Sequence, residues 1–317
     1  MPRNSCIETG SSELKTFFYW IRERHNIWIR RDRGEPREKW TNDEILKVYK
    51  FTNAFRQLDR GTVALTEMIA PFVYEMESWE DELVLRTIGS DIIFNIWWYR
   101  LFNRWEHARD LGYVPLAESS RVKSYIYDCY KKGEKIFTSA HMTTGVSGEP
   151  KHETYLRAVD DAIDNSKALY DWILDNPTME SAFNELCKCY MIGRFVAYEI
   201  VCDIRFTPML EKASDRLTWA NVGPGAFRGL KRLGLCDKNN QKAGLEEMIK
   251  LYEQAGPNVG ARIWKNHMPD ENGGYRKYPP FELREIEHSL CEFDKYERVR
   301  LGQGTPRERF RPFDQAS

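Results

Sequence analysis

The sequence predicts an all-α protein, folded as a two-lobed helical bundle. Apolar residues recur at helical spacing over long segments, and residues that start or stop helices are frequent. Alternating runs of β-branched residues, which would predict strands, are scarce. With 317 residues, of which 42% are hydrophobic, the chain is long enough to bury a sizeable core.

The first predicted helix begins at a capping box formed by Thr41 and Glu44, three residues apart. Its buried face follows at helical spacing through Ile45, Val48, Thr52, Phe55 and Leu58. We therefore expect one amphipathic helix across this segment. Pro71 is expected to kink or divide the next helical segment, residues 62–76.

Further helices are predicted through the rest of the chain. Ser78, followed by Glu80 and Asp81, starts a long helix that carries several tryptophans. Another helix starts near residue 151 and ends at Asn176, before a proline, and Thr178 starts the next one. The last helix ends near residue 300.

The expected domain organisation is one helical catalytic body over residues 1–301, with lobes of about 1–134 and 151–301. The linking stretch 135–150 contains two glycines and several Thr and Ser residues, which is typical of a surface loop. Residues 302–317 mix Gly, Pro and Arg with little apolar content, so a tail is expected there.

Charge and cysteine content limit the class of protein. The 47 Lys and Arg against 48 Asp and Glu leave a net charge of −1, so any contact with nucleic acid has to come from a local basic patch. The seven cysteines include no C-x-x-C pair, which favours reduced thiols in the cytoplasm and no metal site. The N-terminus lacks an apolar signal region, and residues 92–102 are too short to span a membrane.

Four groups of residues are candidates for chemistry. The first lies on the polar face of the predicted capped helix, where Asn53, Arg56 and Arg60 share one side and Asp59 lies beside them. Arginine suits phosphate and asparagine a base edge. Just upstream, a basic and aromatic stretch contains Arg24 and Arg31 and suits a DNA backbone. A solvated helix face is the alternative.

The second group is a helical hairpin around Gly193, whose amides can face a DNA phosphate. Asp203, near the end of its second helix, is either a general base or the ion-pair partner of Arg205. The ion pair is favoured on residue types alone.

The third group is the turn Asn221-Val222-Gly223-Pro224-Gly225, which feeds a helix containing Arg228. Bare amides at a helix N-terminus, with cations behind them, suit a phosphate or pyrophosphate group. The alternative is a loop-to-helix junction in which the glycines only allow tight turning.

The fourth group is on the last helix, where Glu285, His288, Glu292 and Lys295 follow one another at spacings of three, four and three. An acid, an imidazole, an acid and an ammonium on one face form a candidate acid/base cluster. Charged pairs on a solvated helix have the same spacing. No phosphate-binding P-loop, dinucleotide motif or nucleophile elbow is present, so no cofactor is expected.

Six ordered blocks of the chain carry a family resemblance. They are RHNI at 24–27, WTND at 40–43, KFTNAFRQLDR at 50–60, AYEIVCDIR at 197–205, NVGPGAFRG at 221–229 and EHSLCEFDKY at 287–296. They resemble the bacteriophage family named alpha-glutamyl/putrescinyl thymine pyrophosphorylase. Its members include amino acid:DNA transferases, and it is related to the helical part of 5-hydroxymethyluracil DNA kinases.

The resemblance implies a fold similar to helix-hairpin-helix DNA glycosylases, with the hairpin around Gly193 in the position of the DNA-binding hairpin. Counting back from Arg228, the glycosylase aspartate is expected at Gly223, and its absence disfavours base excision. The implied reaction is substitution at the 5-methylene of 5-pyrophosphoryloxymethyluracil in DNA. An amino acid or a polyamine would displace pyrophosphate, in the cytoplasm of an infected bacterium.

The implied partners are double-stranded DNA carrying a modified thymine, a small amine or amino acid, and a separate 5-hydroxymethyluracil DNA kinase. We expect Asn53 to contact the flipped base. The groups expected to contact phosphates are Arg56, Arg60, Gly223 to Gly225 and Arg228. The base that takes the proton of the amine is Asp203, His288 or Glu292. Two alternatives remain: a glycosylase for modified thymine, and a noncatalytic DNA-binding partner of a kinase.

Overall fold

The all-α class is confirmed by a computed structural model of the chain. The structure describes residues 11–138, 145–260, 263, 280–306 and 308–310, together with the backbone of two three-residue strands. In that part of the chain, no helix is both long enough and apolar enough to cross a bilayer. The N-terminal segment and the middle of the expected 135–150 loop lie outside the described residues.

Twelve α-helices lie in the described part of the chain. They are α1 (Ser12–Asp32), α2 (Glu44–Val48), α3 (Arg60–Ser78), α4 (Glu82–Phe102), α5 (Trp105–Leu111), α6 (Ser120–Lys131), α7 (Lys151–Asp175), α8 (Met179–Leu186), α9 (Arg194–Ile204), α10 (Pro224–Arg232), α11 (Gln241–Val259) and α12 (Leu283–Arg300). Single 3₁₀ turns lie at Arg37–Lys39, Arg56–Leu58 and Leu116–Glu118. Strands β1 (His267–Pro269) and β2 (Tyr275–Lys277) form an antiparallel pair.

The helices divide into two compact units. Unit 1 comprises Met1–Asp59 and Ala220–Ser317, and unit 2 is Arg60–Trp219. This division differs from the expected lobes 1–134 and 151–301, because in unit 1 the first helix packs against α11 and α12 from the far end of the chain. Local sequence patterns do not show that the first helix packs against helices from the far end of the chain.

The predicted amphipathic helix from Glu44 to Leu58 is wrong. Asp43, rather than Thr41, caps α2 by accepting hydrogen bonds from the amides of Ile45 and Leu46, and the helix ends after five residues. The chain then becomes extended, because the backbone around Tyr49 pairs antiparallel with Arg309. Asn53 and Arg56 therefore do not share a helical face, and the expected tail is attached at 308–310.

Most of the other predicted boundaries agree with the structure. Helix α7 spans Lys151–Asp175, Thr178 caps α8, and α12 ends at Arg300. Pro71, however, lies inside α3 and does not divide it. Helix α3 packs against both α4 and α5, and this packing offsets the roughly 3 kcal/mol that a proline costs in a helix interior.

Each unit has its own core. In unit 2, α4 packs along α7, and the side chains of Trp97, Trp98 and Tyr99 are fully buried. In unit 1, Phe17 of α1 meets Phe293 of α12 edge to face, with ring centroids 5.3 Å apart. This contact brings α1 and α12 together around the segment that carries Asn53.

Candidate functional site

The segment 50–59 of unit 1 is held from two sides. From α1, Arg24 donates from Nε to the carbonyl oxygen of Thr52 at 3.0 Å and from Nη2 to that of Phe51 at 3.3 Å. From α12, Oε2 of Glu292 accepts a hydrogen bond from the amide of Thr52 at 3.2 Å. Residues far apart in the sequence therefore fix the backbone on which Asn53 and Arg56 lie.

Hydrogen bonds within the segment 50–59 also hold its backbone in place. The amide of Asn53 donates to Oδ1 of Asp59 at 2.8 Å, and Nδ2 of Asn53 donates to the carbonyl oxygen of Leu58 at 2.7 Å. Nε of Arg56 lies 2.7 Å from the second oxygen of Asp59. Asn53 is buried, and its Oδ1 has no hydrogen-bond partner among the residues that the structure describes. One buried acceptor thus remains unused.

Cations outnumber carboxylates around this segment. Burial lowers the pKa of Arg24 to about 10, against the opposing charges of Asp59 and Glu292. Burial also lowers the pKa of Arg31, again against the charge of Asp59. The pKa of Asp59 is raised by burial, although Arg56 opposes the shift. The pKa values of Arg24, Arg31 and Asp59 all shift toward the neutral form, which is the effect of desolvation on each of these side chains.

Lys295 completes this cation cluster, which we define as Arg24, Arg31, Arg56 and Lys295. Its Nζ lies 2.7 Å from Oε1 of Glu292 and 5.5 Å from the centroid of the Phe51 ring. Four cations therefore surround the two carboxylates Asp59 and Glu292. An excess of positive charge that is partly desolvated favours an anionic ligand such as phosphate.

Helix packing explains Gly225 of the Gly-Pro-Gly turn and Gly229, one turn further along α10. A methyl group at Gly225 would lie 2.9 Å from Cβ of Cys291, and one at Gly229 would lie 2.8 Å from the carbonyl carbon of Leu290. The amide of Gly223 already donates to Oε1 of Glu287 at 3.2 Å. The turn therefore lets α10 pack closely against α12, and one amide of the turn already donates a hydrogen bond to a carboxylate of the protein.

Part of the Arg228 side chain lies outside the contact between α10 and α12. Its Nε donates to Asp294 at 2.8 Å while 57% of the side chain stays exposed. Arg232 donates to the other oxygen of Asp294 at 2.6 Å. Burial alone would raise the pKa of Asp294, but the two arginines outweigh it and hold that pKa below its usual range. Arg228 is thus anchored at Nε and reaches solvent beyond it.

The candidate bases on α12 have different surroundings. Both oxygens of Glu292 are engaged, one by the Thr52 amide and one by Lys295. His288 is buried, with Nε2 3.7 Å from Oε2 of Glu287. Burial raises the pKa of the Cys291 thiol to about 12, so this cysteine is no nucleophile at neutral pH. Glu287, which the sequence analysis did not single out, links His288 to the turn.

Glu285 belongs to a buried network rather than to an open face. Its Oε2 accepts from the amide of Glu282 as half of a capping box, and its Oε1 accepts from Nε of Arg284 at 2.7 Å. Arg284 in turn donates to Gln57 of the 50–59 segment. Glu285 therefore helps to position that segment indirectly.

Three further candidates lie in unit 2. Asp203 binds the Arg100 guanidinium through both carboxylate oxygens, with Nη2 2.7 Å from Oδ1, and both side chains are buried. The ion pair favoured for Asp203 is present, and Arg100 is its partner in the described contacts. Arg60 lies over the Trp105 ring at 3.8 Å. Gly193 caps α9, and a Cβ there would meet open space.

The described residues contain no group of three or more His, Cys, Asp or Glu side chains placed to hold a metal ion. No disulfide joins any two of the six described cysteines.

The free energy of unfolding should fall as the pH rises from about 4.5 to 7, because the unfolded chain loses the Glu285 proton at a lower pH than the folded protein does. Burial raises the pKa of this carboxyl from 4.5 to about 7, with Arg284 opposing the shift. The folded state then binds more protons than the unfolded chain in that window, which costs up to about 3 kcal/mol by pH 7. Urea unfolding at several pH values should show a flatter profile for Glu285→Gln. The exposed Glu246→Gln is the matched control, and equal slopes for both variants would contradict the assignment.

The fold and the site define a class: an all-helical protein with a cation cluster suited to an anionic ligand. The chain belongs to the family described as the helical domain of 5-hmdU DNA kinase, whose model matches residues 11–305. A relative named 5-hmdU DNA kinase, from Bacillus phage SP10, is 28% identical over 243 residues. That match covers 71% of this chain and 36% of the relative, so the chain spans about a third of the relative's length. No solved structure matches the chain, and the likeness to helix-hairpin-helix glycosylases stays a prediction.

Proposed function

We propose that this protein hypermodifies thymine in DNA by transferring an amine to the 5-methylene of 5-pyrophosphoryloxymethyluracil. The amine nitrogen forms a bond to the methylene carbon, and the bond from that carbon to oxygen breaks. Pyrophosphate leaves with the electron pair, and the ammonium proton passes to a base on the protein. The substrate would come from a kinase that acts on 5-hydroxymethyluracil in DNA, in the infected host's cytoplasm.

The observation that carries the proposal is the cation cluster on the rigid 50–59 segment. Pyrophosphate develops negative charge as it leaves, and partly desolvated guanidinium groups stabilise such charge more strongly than exposed ones. Arg56 and Arg24 have this environment, whereas Arg31 lies at the exposed edge of the cluster. Membership of a family named for a kinase of a modified DNA base supports a DNA substrate with a phosphorylated base.

Asn53 is assigned to the flipped base. Its unused Oδ1 acceptor is complementary to the N3–H donor of a uracil ring, and its amide nitrogen is already bonded to Leu58. Arg228, with its exposed end, is assigned to phosphate beside the turn, whereas Gly223 and Gly225 mainly position α10. Gly193 and Arg60 are assigned to the DNA backbone.

Of the three candidate bases, we favour His288. Asp203 is committed to Arg100, and Glu292 is committed to Thr52 and Lys295, so protonating either would break existing contacts. An imidazole next to a carboxylate is a common arrangement for a general base, because the carboxylate stabilises the imidazolium that forms. Glu287 is placed for that role.

The direct test is incubation with DNA carrying 5-pyrophosphoryloxymethyluracil and a panel of amines, followed by digestion and mass analysis of the nucleosides. An amine adduct with release of pyrophosphate supports the proposal. Release of free base without adduct would instead identify a glycosylase. Binding to the modified DNA without any turnover would identify a noncatalytic DNA-binding partner of a kinase.

Arg31→Ala should lower kcat/KM on the pyrophosphorylated DNA by about 10-fold, the effect of losing one charged hydrogen bond to the leaving group. Arg33→Ala is the matched control, since Arg33 is an exposed arginine two residues further on. We expect the control to change turnover less than twofold. Equal losses in the two variants would mean that this end of α1 only attracts the DNA backbone.

A further inference from the structure

A polar cleft in unit 1 is formed by α1 and the chain that follows it. It has a volume of about 370 Å³, is open to solvent and is lined by Tyr19, Glu23, Arg30, Lys39, Thr41 and Asn42. This volume is at the lower end of the range for small-molecule sites, about 300–1,000 Å³. A small polar molecule fits it.

The cleft has fixed charges with unused hydrogen-bonding groups. Nη1 of Arg30 donates to Oε1 of Glu23 at 3.2 Å and to the carbonyl oxygen of Trp40, which fixes the guanidinium. Among the described contacts, Oε2 of Glu23 and the Nε and Nη2 groups of Arg30 have no partner. Lys39 likewise forms no ion pair within the described chain. One negatively charged carboxylate oxygen and two cations are therefore available to a ligand.

The neighbouring polar groups do not alter this balance. Oδ2 of Asp43 accepts from the hydroxyls of Tyr19 at 3.2 Å and Tyr296 at 2.7 Å, while its Oδ1 caps α2. Burial, together with the charge of Asp43, raises the pKa of Tyr19 to about 12, so its hydroxyl stays neutral. Glu23 is then the one carboxylate among the lining residues.

We propose that this cleft binds a free α-amino acid, with the carboxylate on Arg30 and Lys39 and the ammonium on Oε2 of Glu23. A zwitterion satisfies both signs of charge at once, whereas a polyamine would bring two positive charges to two cations. The proposal rests on the proposed function, for which the amino acid would be the amine donor. Glu23 and Arg30 adjoin Arg24 and Arg31 of the cation cluster along α1.

The test is calorimetric titration of the full chain, without DNA, with glycine, serine and glutamate as probes. Putrescine tests a polyamine, glycolate lacks the ammonium and methylamine lacks the carboxylate. We expect binding of at least one amino acid and of none of the other three. Lys39→Met and Glu23→Gln should each weaken that binding by about 10-fold or more, and Lys15→Met, at an exposed lysine of the same helix, should leave it unchanged.

Putrescine binding in place of the amino acids, or amino acid binding that Lys39→Met leaves intact, would overturn the cleft assignment. So would amine transfer by a protein that binds no amino acid in the titration, and in that case the proposed function would stand. Amino acid binding that both substitutions weaken, in a protein that transfers nothing to DNA, supports the cleft and removes the proposed function instead.

Discussion

Asp203→Asn is expected to destabilise the protein by about 3–5 kcal/mol, the usual effect of breaking a buried ion pair from one side. Arg100 would keep its charge in a buried position, with Glu199, 3.5 Å away, left to offset it. Burial lowers the pKa of Arg100, but Asp203 and Glu199 outweigh burial and raise it, so the guanidinium stays charged. Thermal unfolding of the 317 residues as one transition should show a fall in Tm of about 5–8 °C.

Two comparisons make the Asp203 result specific. Asp128→Asn, an exposed aspartate of the same unit, should change Tm little. The triple variant Arg100→Met, Glu199→Gln and Asp203→Leu should recover much of the lost stability, because it removes all three buried charges. If Asp203→Asn instead abolished amine transfer and left Tm unchanged, the ion pair would be unimportant for stability and Asp203 would return as the favoured base.

Gly229→Ala is expected to be the most damaging change in α10, by about 3 kcal/mol or more. The new methyl group would press on the backbone of Leu290, 2.8 Å from its carbonyl carbon, and backbone cannot move aside as a side chain can. Alanine gains about 1 kcal/mol of helix propensity over glycine, so the net loss reports the clash between α10 and α12. Urea unfolding measures it.

Gly225→Ala provides the matched comparison, because its clash is with the side chain of Cys291. Adding Cys291→Ala removes the contact with Sγ but leaves the one with Cβ at 2.9 Å, so it should restore part of the stability lost by Gly225→Ala and none of that lost by Gly229→Ala. Gly193→Ala, where a Cβ meets open space, should be neutral. Full stability of Gly229→Ala would show that α10 does not sit against α12 as described.

The fold could be predicted where local signals decide it. Thr178 caps α8, and the end of α7 at Asp175 precedes Asn176 and a proline. The helix predicted through Thr52 and Phe55 was wrong because its periodicity competed with a pairing to Arg309, some 260 residues further on. A long-range backbone pairing leaves no mark in the local spacing of apolar residues.

The candidate site was predictable by residue type but not by contact. Arg24, Arg31, Arg56 and Glu292 were singled out from charge patterns, and the structure gathers them around one segment. Their supports were missed: Glu287 and Arg284 looked like ordinary residues of a charged helix. Glycines four residues apart in the short helix α10 were the available signal for its close packing, but the sequence does not say which helix lies opposite.

The discontinuity of unit 1 has a consequence for how the protein is made. Unit 2 is continuous, so it can fold as soon as Trp219 has left the ribosome, whereas α1 has to wait for α11 and α12. At typical synthesis rates, the roughly 270 residues from the end of α1 at Asp32 to the end of α12 at Arg300 take on the order of 15–50 s to translate. During that time the apolar face of α1, including Phe17 and Trp20, is uncovered. The nascent first helix is therefore the part of the chain most in need of a chaperone.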